Sequence, residues 1–142
     1  MSIREHHLQP SDKQSGMIEN NEIALKIKKL NDLYPQYKVE SYSFLLAALH
    51  FTVGKLKQPR HVSGQELLEG IRQYALEQFG PMTRTVLNHW GIEEALDFGK
   101  MVFALIEVDL MRKNDDDSLD DFKNGFDFKE AFDQKYDFGD EA

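Results

Sequence analysis

The stretch HVSGQELLEGIRQYALEQFGPMTRTVLNHWGI, His61 to Ile92, carries the start and stop signals of two consecutive helices and so decides the fold class. Ser63 and Glu66 have the S-x-x-E spacing of a capping box. The serine hydroxyl can accept from the Glu66 amide while the glutamate carboxylate accepts from the Ser63 amide. Leu67, Leu68, Ile71, Tyr74, Ala75, Leu76 and Phe79 follow at helical spacing. Gly80 stands where a left-handed glycine closes a helix, and Pro81 suits the first turn of the next one. Met82, Val86, Leu87 and Trp90 form the apolar positions of that second, shorter helix, which Gly91 ends.

Helical periodicity extends outward from this stretch. Downstream, Ala95, Phe98, Val102, Leu105, Ile106 and Leu110 predict a helix over residues 93–111, with acidic residues in its first turn and Arg112 and Lys113 at its end, as the helix dipole favours. Upstream, Ile23, Ile27, Leu30 and Tyr34 fall on one face of a helix that begins at Met17 and stops at Pro35. A further helix over residues 40–56 contains YSFLLAALHFTV. It is apolar on nearly every face and therefore expected at the centre, with His50 inside it as a hydrogen-bonded core histidine. The expected fold is mainly α: about five helices around this central apolar helix, winged-helix-like over residues 63–128, with a small aromatic C-terminal hairpin or turn. Residues 1–16 read as a disordered segment, 17–133 as a single helical domain and 134–142 as a frayed acidic tail.

Composition narrows the function classes. The chain has 142 residues, enough for one domain with its own core, and no cysteine, which removes disulfides, thiolate metal sites and a cysteine nucleophile together. The N-terminal stretch lacks the apolar region of a signal peptide, and the longest apolar run, FLLAALHF, is far too short to span a bilayer. A cytoplasmic protein without membrane contact is the expectation. The net charge of -8 is unevenly spread: residues 1–92 carry 11 Lys+Arg and 9 Asp+Glu, residues 93–142 carry 6 and 16. Acidic surfaces repel phosphate backbones and favour a basic partner.

Several constellations compete with plainer readings. Two helices joined at Gly91 match a helix-turn-helix, with residues 111–128 as a wing. A recognition helix must meet phosphates with cations. The helix over 93–111 offers Glu93, Glu94, Asp97, Glu107 and Asp109 against Lys100, so nucleic-acid binding through it is not expected. Asp120, Asn124 and Gly125 suggest a calcium loop, but Phe122 and Ala131 stand at two ligand positions, and a solvated acidic loop is the better reading. No histidine pair has zinc spacing, and no phosphate loop or nucleophile elbow is present. Neither a metal nor a cofactor is expected. The most basic short stretch is KLKQPRH, Lys55 to His61.

The segments PRHVSGQELLEGIR and QFGPMTRTVLNHWGI, with DFGKMVFALIEVDLM and DDFKNGFDFKEAF, resemble a small uncharacterised bacterial family of the planctomycete and verrucomicrobial type, whose members carry only hypothetical or repeat-protein names. The resemblance covers roughly residues 20–133. It implies a shared fold among soluble bacterial proteins and brings no activity and no functional residues.

The leading expectation for function is a non-catalytic protein-interaction or regulatory module, with a protein or a second copy of the chain as partner. Its candidate surfaces are Lys55, Lys57, Arg60 and His61 on the basic stretch and Asp115, Asp116, Asp117, Asp120 and Asp121 on the acidic one. The alternative is a nucleic-acid-binding winged helix using the basic N-terminal half. A more distant one is an enzyme with a pocket near Arg60, His61 and His89.

Overall fold

A computed structural model describes residues 3–5, 16–58, 60–113, 119–123 and 125–134. The architecture is mainly α. Helices α1 (Gly16–Leu33), α2 (Val39–Gly54), α3 (Gly64–Phe79), α4 (Thr83–His89), α5 (Ala95–Glu107) and the single-turn α6 (Asp120–Lys123) follow one another, and a π-helical turn (Lys129–Gln134) closes the described chain. Two three-residue strands, β1 (Ile3–Glu5) and β2 (Met111–Lys113), pair antiparallel with Arg4 opposite Arg112.

The central position expected for the apolar helix holds: α2 packs against α1, α3 and α5. Tyr42, Phe44, Leu45, Ala48 and Leu49 are buried along it. His50 is not a core residue. It is exposed, like Ser43 seven positions earlier, because both lie on the narrow strip of α2 that faces solvent. α2 and α3 approach closely at Gly70, where a Cβ would lie 1.7 Å from Thr52 Oγ1. That hydroxyl, the atom nearest Gly70, donates to the Ala48 carbonyl at 2.7 Å.

The helix starts and stops between His61 and Ile92 were legible. Ser63 caps α3 with both bonds of the box, its Oγ accepting from Glu66 N at 3.0 Å and Glu66 Oε1 from Ser63 N at 2.8 Å. Pro81 lies in a 3₁₀ turn, Gly80–Met82, that leads into α4. Gly91, at φ 90°, closes α4 in a Schellman arrangement, with Ile92 N donating to Leu87 O at 2.9 Å.

Three expectations need correction. The helix over 93–111 spans only Ala95–Glu107, because Asp109 takes φ 64° and Leu110 N donates back to Leu105 O at 2.9 Å, so Arg112 and Lys113 lie in β2 and not on a helix end. The wing over 111–128 is absent among the described residues: β2 pairs with β1, and 120–123 are helical. Residues 3–5 belong to that pairing and not to a disordered segment. In place of a C-terminal hairpin the chain makes the turn that was its alternative, through Gly125 between α6 and the π turn.

The C-terminal aromatics complete the core. Phe122, Phe128 and Phe132 are buried and Phe126 half-buried. Phe122 lies on Gly99 of α5, where a Cβ would meet the Phe122 ring at 2.7 Å, and Phe128 stacks on Phe98 at 5.8 Å. Trp90 belongs to a different cluster, with Phe44 and Phe79 at 5.4 and 5.5 Å.

Candidate functional site

The first turn of α3 brings together the two charged surfaces singled out in the sequence. Arg60 clasps Glu66 in a bidentate pair, Nη1 to Oε1 at 3.0 Å and Nη2 to Oε2 at 2.7 Å, and its Nη1 also donates to the His61 carbonyl at 2.9 Å. One residue before Glu66, the Gln65 amide donates to the Asp121 backbone carbonyl at 2.9 Å, which fastens α6 and its Asp120–Asp121 pair beside the same turn. Asp115, Asp116 and Asp117 lie outside the described residues.

The basic stretch offers less charge than its composition suggests. Two hydrogen bonds from Arg60 and one from the Ser63 backbone pull the Glu66 carboxyl down to about 2, and the Arg60 guanidinium is correspondingly raised. Lys55 donates to Gln73 Oε1 at 3.1 Å and stands 4.5 Å from the Phe51 ring centroid. Lys57 is exposed and, with Leu56, Gln58 and Arg60, lines an open depression of about 480 Å³. His61 and His89 are not among the described residues that line it. His89 is exposed at the last turn of α4.

A different cavity has stronger features. Between α3 and the C-terminal turn lies a recess of about 440 Å³, lined by Glu69, Arg72, Gly125, Phe126, Asp127, Glu130 and Ala131. Arg72 is matched within its own helix: its Nε donates to Glu69 Oε1 at 2.9 Å, and hydrogen bonding to Glu69 outweighs partial burial to hold the guanidinium pKa up. Asp127 is exposed, and its Oδ1 accepts from the Glu130 amide at 3.1 Å, capping the π turn. The Phe126 ring is fixed edge-on against Phe132 at 5.5 Å. Among the described residues, three carboxylates therefore line the recess with a half-buried aromatic ring, and the single guanidinium on that lining is paired with Glu69. Sequence reasoning missed this recess because its walls are separated by more than fifty positions. The available signal was the alternation of ring and carboxylate in GFDFKE.

A second, smaller cavity of about 250 Å³ lies between the end of α1 and α5. Lys100, Phe103, Ala104 and Glu107 form one face of α5 at helical spacing, and Tyr34, Gln36, Tyr37 and Leu119 supply the other walls. Tyr34 donates to Glu107 Oε1 and Tyr37 to Asp97 Oδ1, each at 2.6 Å. Asp97 also accepts from the Glu93 and Glu94 amides, so the Tyr37 anchor is tied to the start of α5. Among the described residues no group of three His, Cys, Asp or Glu side chains is arranged to hold a metal ion, and no helix is long and apolar enough to cross a membrane.

No protein-family model matches the chain, and comparisons with curated proteins and with solved structures likewise give no match.

Proposed function

We propose that the protein is a non-catalytic interaction module that receives a basic segment of a partner protein on the face made by α3 and the C-terminal turn. The supporting observation is the Phe126 recess, with Asp127 and Glu130 carboxylates beside an aromatic ring. A guanidinium laid over Phe126 gains cation–π attraction and, at its edge, charge-assisted hydrogen bonds to these carboxylates. The recess volume is within the range of side-chain and small-ligand pockets. Long-range attraction acts in the same direction, since residues 93–142 carry 16 acidic against 6 basic side chains. The basic stretch at Lys55–His61 is the weaker candidate because Arg60 is already closed on Glu66.

The test is fluorescence anisotropy with a labelled Arg/Ser peptide and a matched Glu/Ser peptide. The basic peptide should bind and the acidic one should not, with affinity falling as salt is raised. Glu130→Lys, at an exposed position that holds its hydrogen bond through the backbone, should weaken binding at least about tenfold by replacing attraction with repulsion while leaving the melt unchanged. Equal binding of both peptides, or indifference to Glu130→Lys, would overturn the reading.

A further inference from the structure

The smaller cavity beside α1 carries an inference that does not depend on the Phe126 recess. We propose that it is a binding site for an organic cation, an ammonium or guanidinium group held between the rings of Tyr34, Tyr37 and Phe103 and neutralised by the Glu107 carboxylate.

Three rings and a carboxylate converging on a cavity of about 250 Å³ is the arrangement that recognises alkylated ammonium, because the negative faces of the rings replace the water the cation loses. Glu107 is positioned for the task. Its Oε1 accepts from Tyr34 at 2.6 Å, which fixes the carboxylate at the cavity wall. Tyr37 is held by Asp97, so both phenols point their hydroxyls at carboxylates. The Phe103 ring already attracts a cation from the chain itself, with Lys113 Nζ 5.9 Å from its centroid.

The field agrees with that choice of charge. The Tyr34 hydroxyl is held up by its bond to Glu107, Tyr37 by burial and then Asp97, and Tyr42 by burial and then by Tyr34 and Glu107. No lysine among the described residues acts in the opposite direction on any of the three. Among the described residues, Lys100 is the one cation on the lining. It is exposed, and its charge opposes the proposed ligand from the rim.

The opposite assignment, an anion held by Lys100, predicts the reverse response to losing that lysine. The test is a titration of the ¹⁵N-labelled protein with tetramethylammonium chloride, referenced to sodium chloride at equal ionic strength and followed by backbone amide shifts. A second titration uses N-acetyl-arginine methylamide. Saturable shifts centred on Phe103, Ala104 and Glu107 are expected. Saturation by tetramethylammonium alone would assign the site to a free small cation, and saturation by the arginine derivative to a partner side chain. Phe103→Leu should weaken binding about fivefold or more by removing one ring, and Glu107→Gln should do so while keeping an acceptor for Tyr34. Lys100→Ala, on an exposed side chain that does not serve the core, should tighten binding. Shifts that fail to saturate, that match those of sodium, or that weaken in Lys100→Ala would overturn the proposal. The Phe126 recess can fail its peptide test without affecting any of these outcomes, and the reverse holds as well.

Discussion

The α-carbon of Gly91 presses on the backbone carbonyl of Gln36: a Cβ on Gly91 would stand 2.0 Å from that oxygen. The contact locks the α1–α2 loop onto the corner between α4 and α5, and the neighbouring bond from Lys38 N to Trp90 O, 3.1 Å, reinforces it. Gly91→Ala therefore meets two penalties, a side chain at φ 90° and a clash with backbone that cannot swing aside. The expected loss is about 3 kcal/mol or more. Urea denaturation measures it, and a loss well under 1 kcal/mol would mean that the loop is not seated on α4.

The turn at Gly91 was legible because it is local: an apolar stripe, then glycine, then a new stripe with acidic residues in its first turn. The same reasoning failed at the end of α5 for an equally definite cause. Val108, Leu110 and Met111 are all buried, so the apolar pattern runs on past Glu107 although the backbone has turned at Asp109, a residue that tolerates the left-handed conformation but does not announce it. The pairing of β1 with β2 joins residues more than a hundred positions apart through three residues each, which leaves no periodicity to detect. The charged surfaces were legible as composition, but whether a charge is available depends on its partner. Arg60 and Glu66 are six positions apart, and only the fold closes them. The Phe126 recess needs α3 and the C-terminal turn to meet, a tertiary event with no local signature.

The Arg60–Glu66 pair predicts a specific response to acid. The Glu66 carboxyl is lowered from 4.5 to about 2, by the Arg60 hydrogen bonds first and the Ser63 backbone second. A carboxylate whose value is depressed by folding stabilises the fold above its ordinary value and loses that contribution as pH falls toward the depressed one. Glu66→Gln keeps a capping-box side chain and removes the charge. Because both side chains are substantially exposed, 53% and 40%, solvent screening limits the cost of Glu66→Gln at neutral pH to about 1 kcal/mol or less. The difference between wild type and variant should shrink from pH 4.5 to pH 2. Denaturant midpoints across that window test it, and a pH-independent gap would assign the effect to the cap alone.

Phe122 predicts how much the C-terminal segment contributes to the core. Its ring is fully buried against Gly99, with Leu68 close to Gly125 just beyond. Phe122→Ala should lower stability by ~3–5 kcal/mol, the range for a buried phenylalanine cut to alanine. Removing residues 119–142 takes away Phe128 and Phe132 as well, so the truncated chain should melt far below the full one and bind a hydrophobic dye. An unchanged melting temperature would make the segment a detachable docking peptide.

Tyr42 predicts the reverse, a substitution that stabilises. Its ring is fully buried and packs edge-on against Tyr37 at 6.4 Å, yet among the described residues its hydroxyl has no hydrogen-bond partner. A buried hydroxyl left unpaired costs ~1–3 kcal/mol, whereas the phenyl ring of Tyr42→Phe keeps the packing and removes the polar atom. Tyr42→Phe should raise stability at neutral pH by about 1 kcal/mol. Alkali should widen the gap. Burial, and then Tyr34 and Glu107, push the Tyr42 hydroxyl from 10.0 to about 12, so the folded state favours the neutral phenol. That contribution is complete below pH 10 and is lost as pH rises toward 12, in wild type but not in Tyr42→Phe. Denaturation midpoints of the two proteins across that range separate the outcomes. If Tyr42→Phe is destabilised at neutral pH, the hydroxyl is bonded in solution, most simply through a water molecule shared with Tyr34 and Glu107, and the wall of the aromatic cavity extends inward to Tyr42.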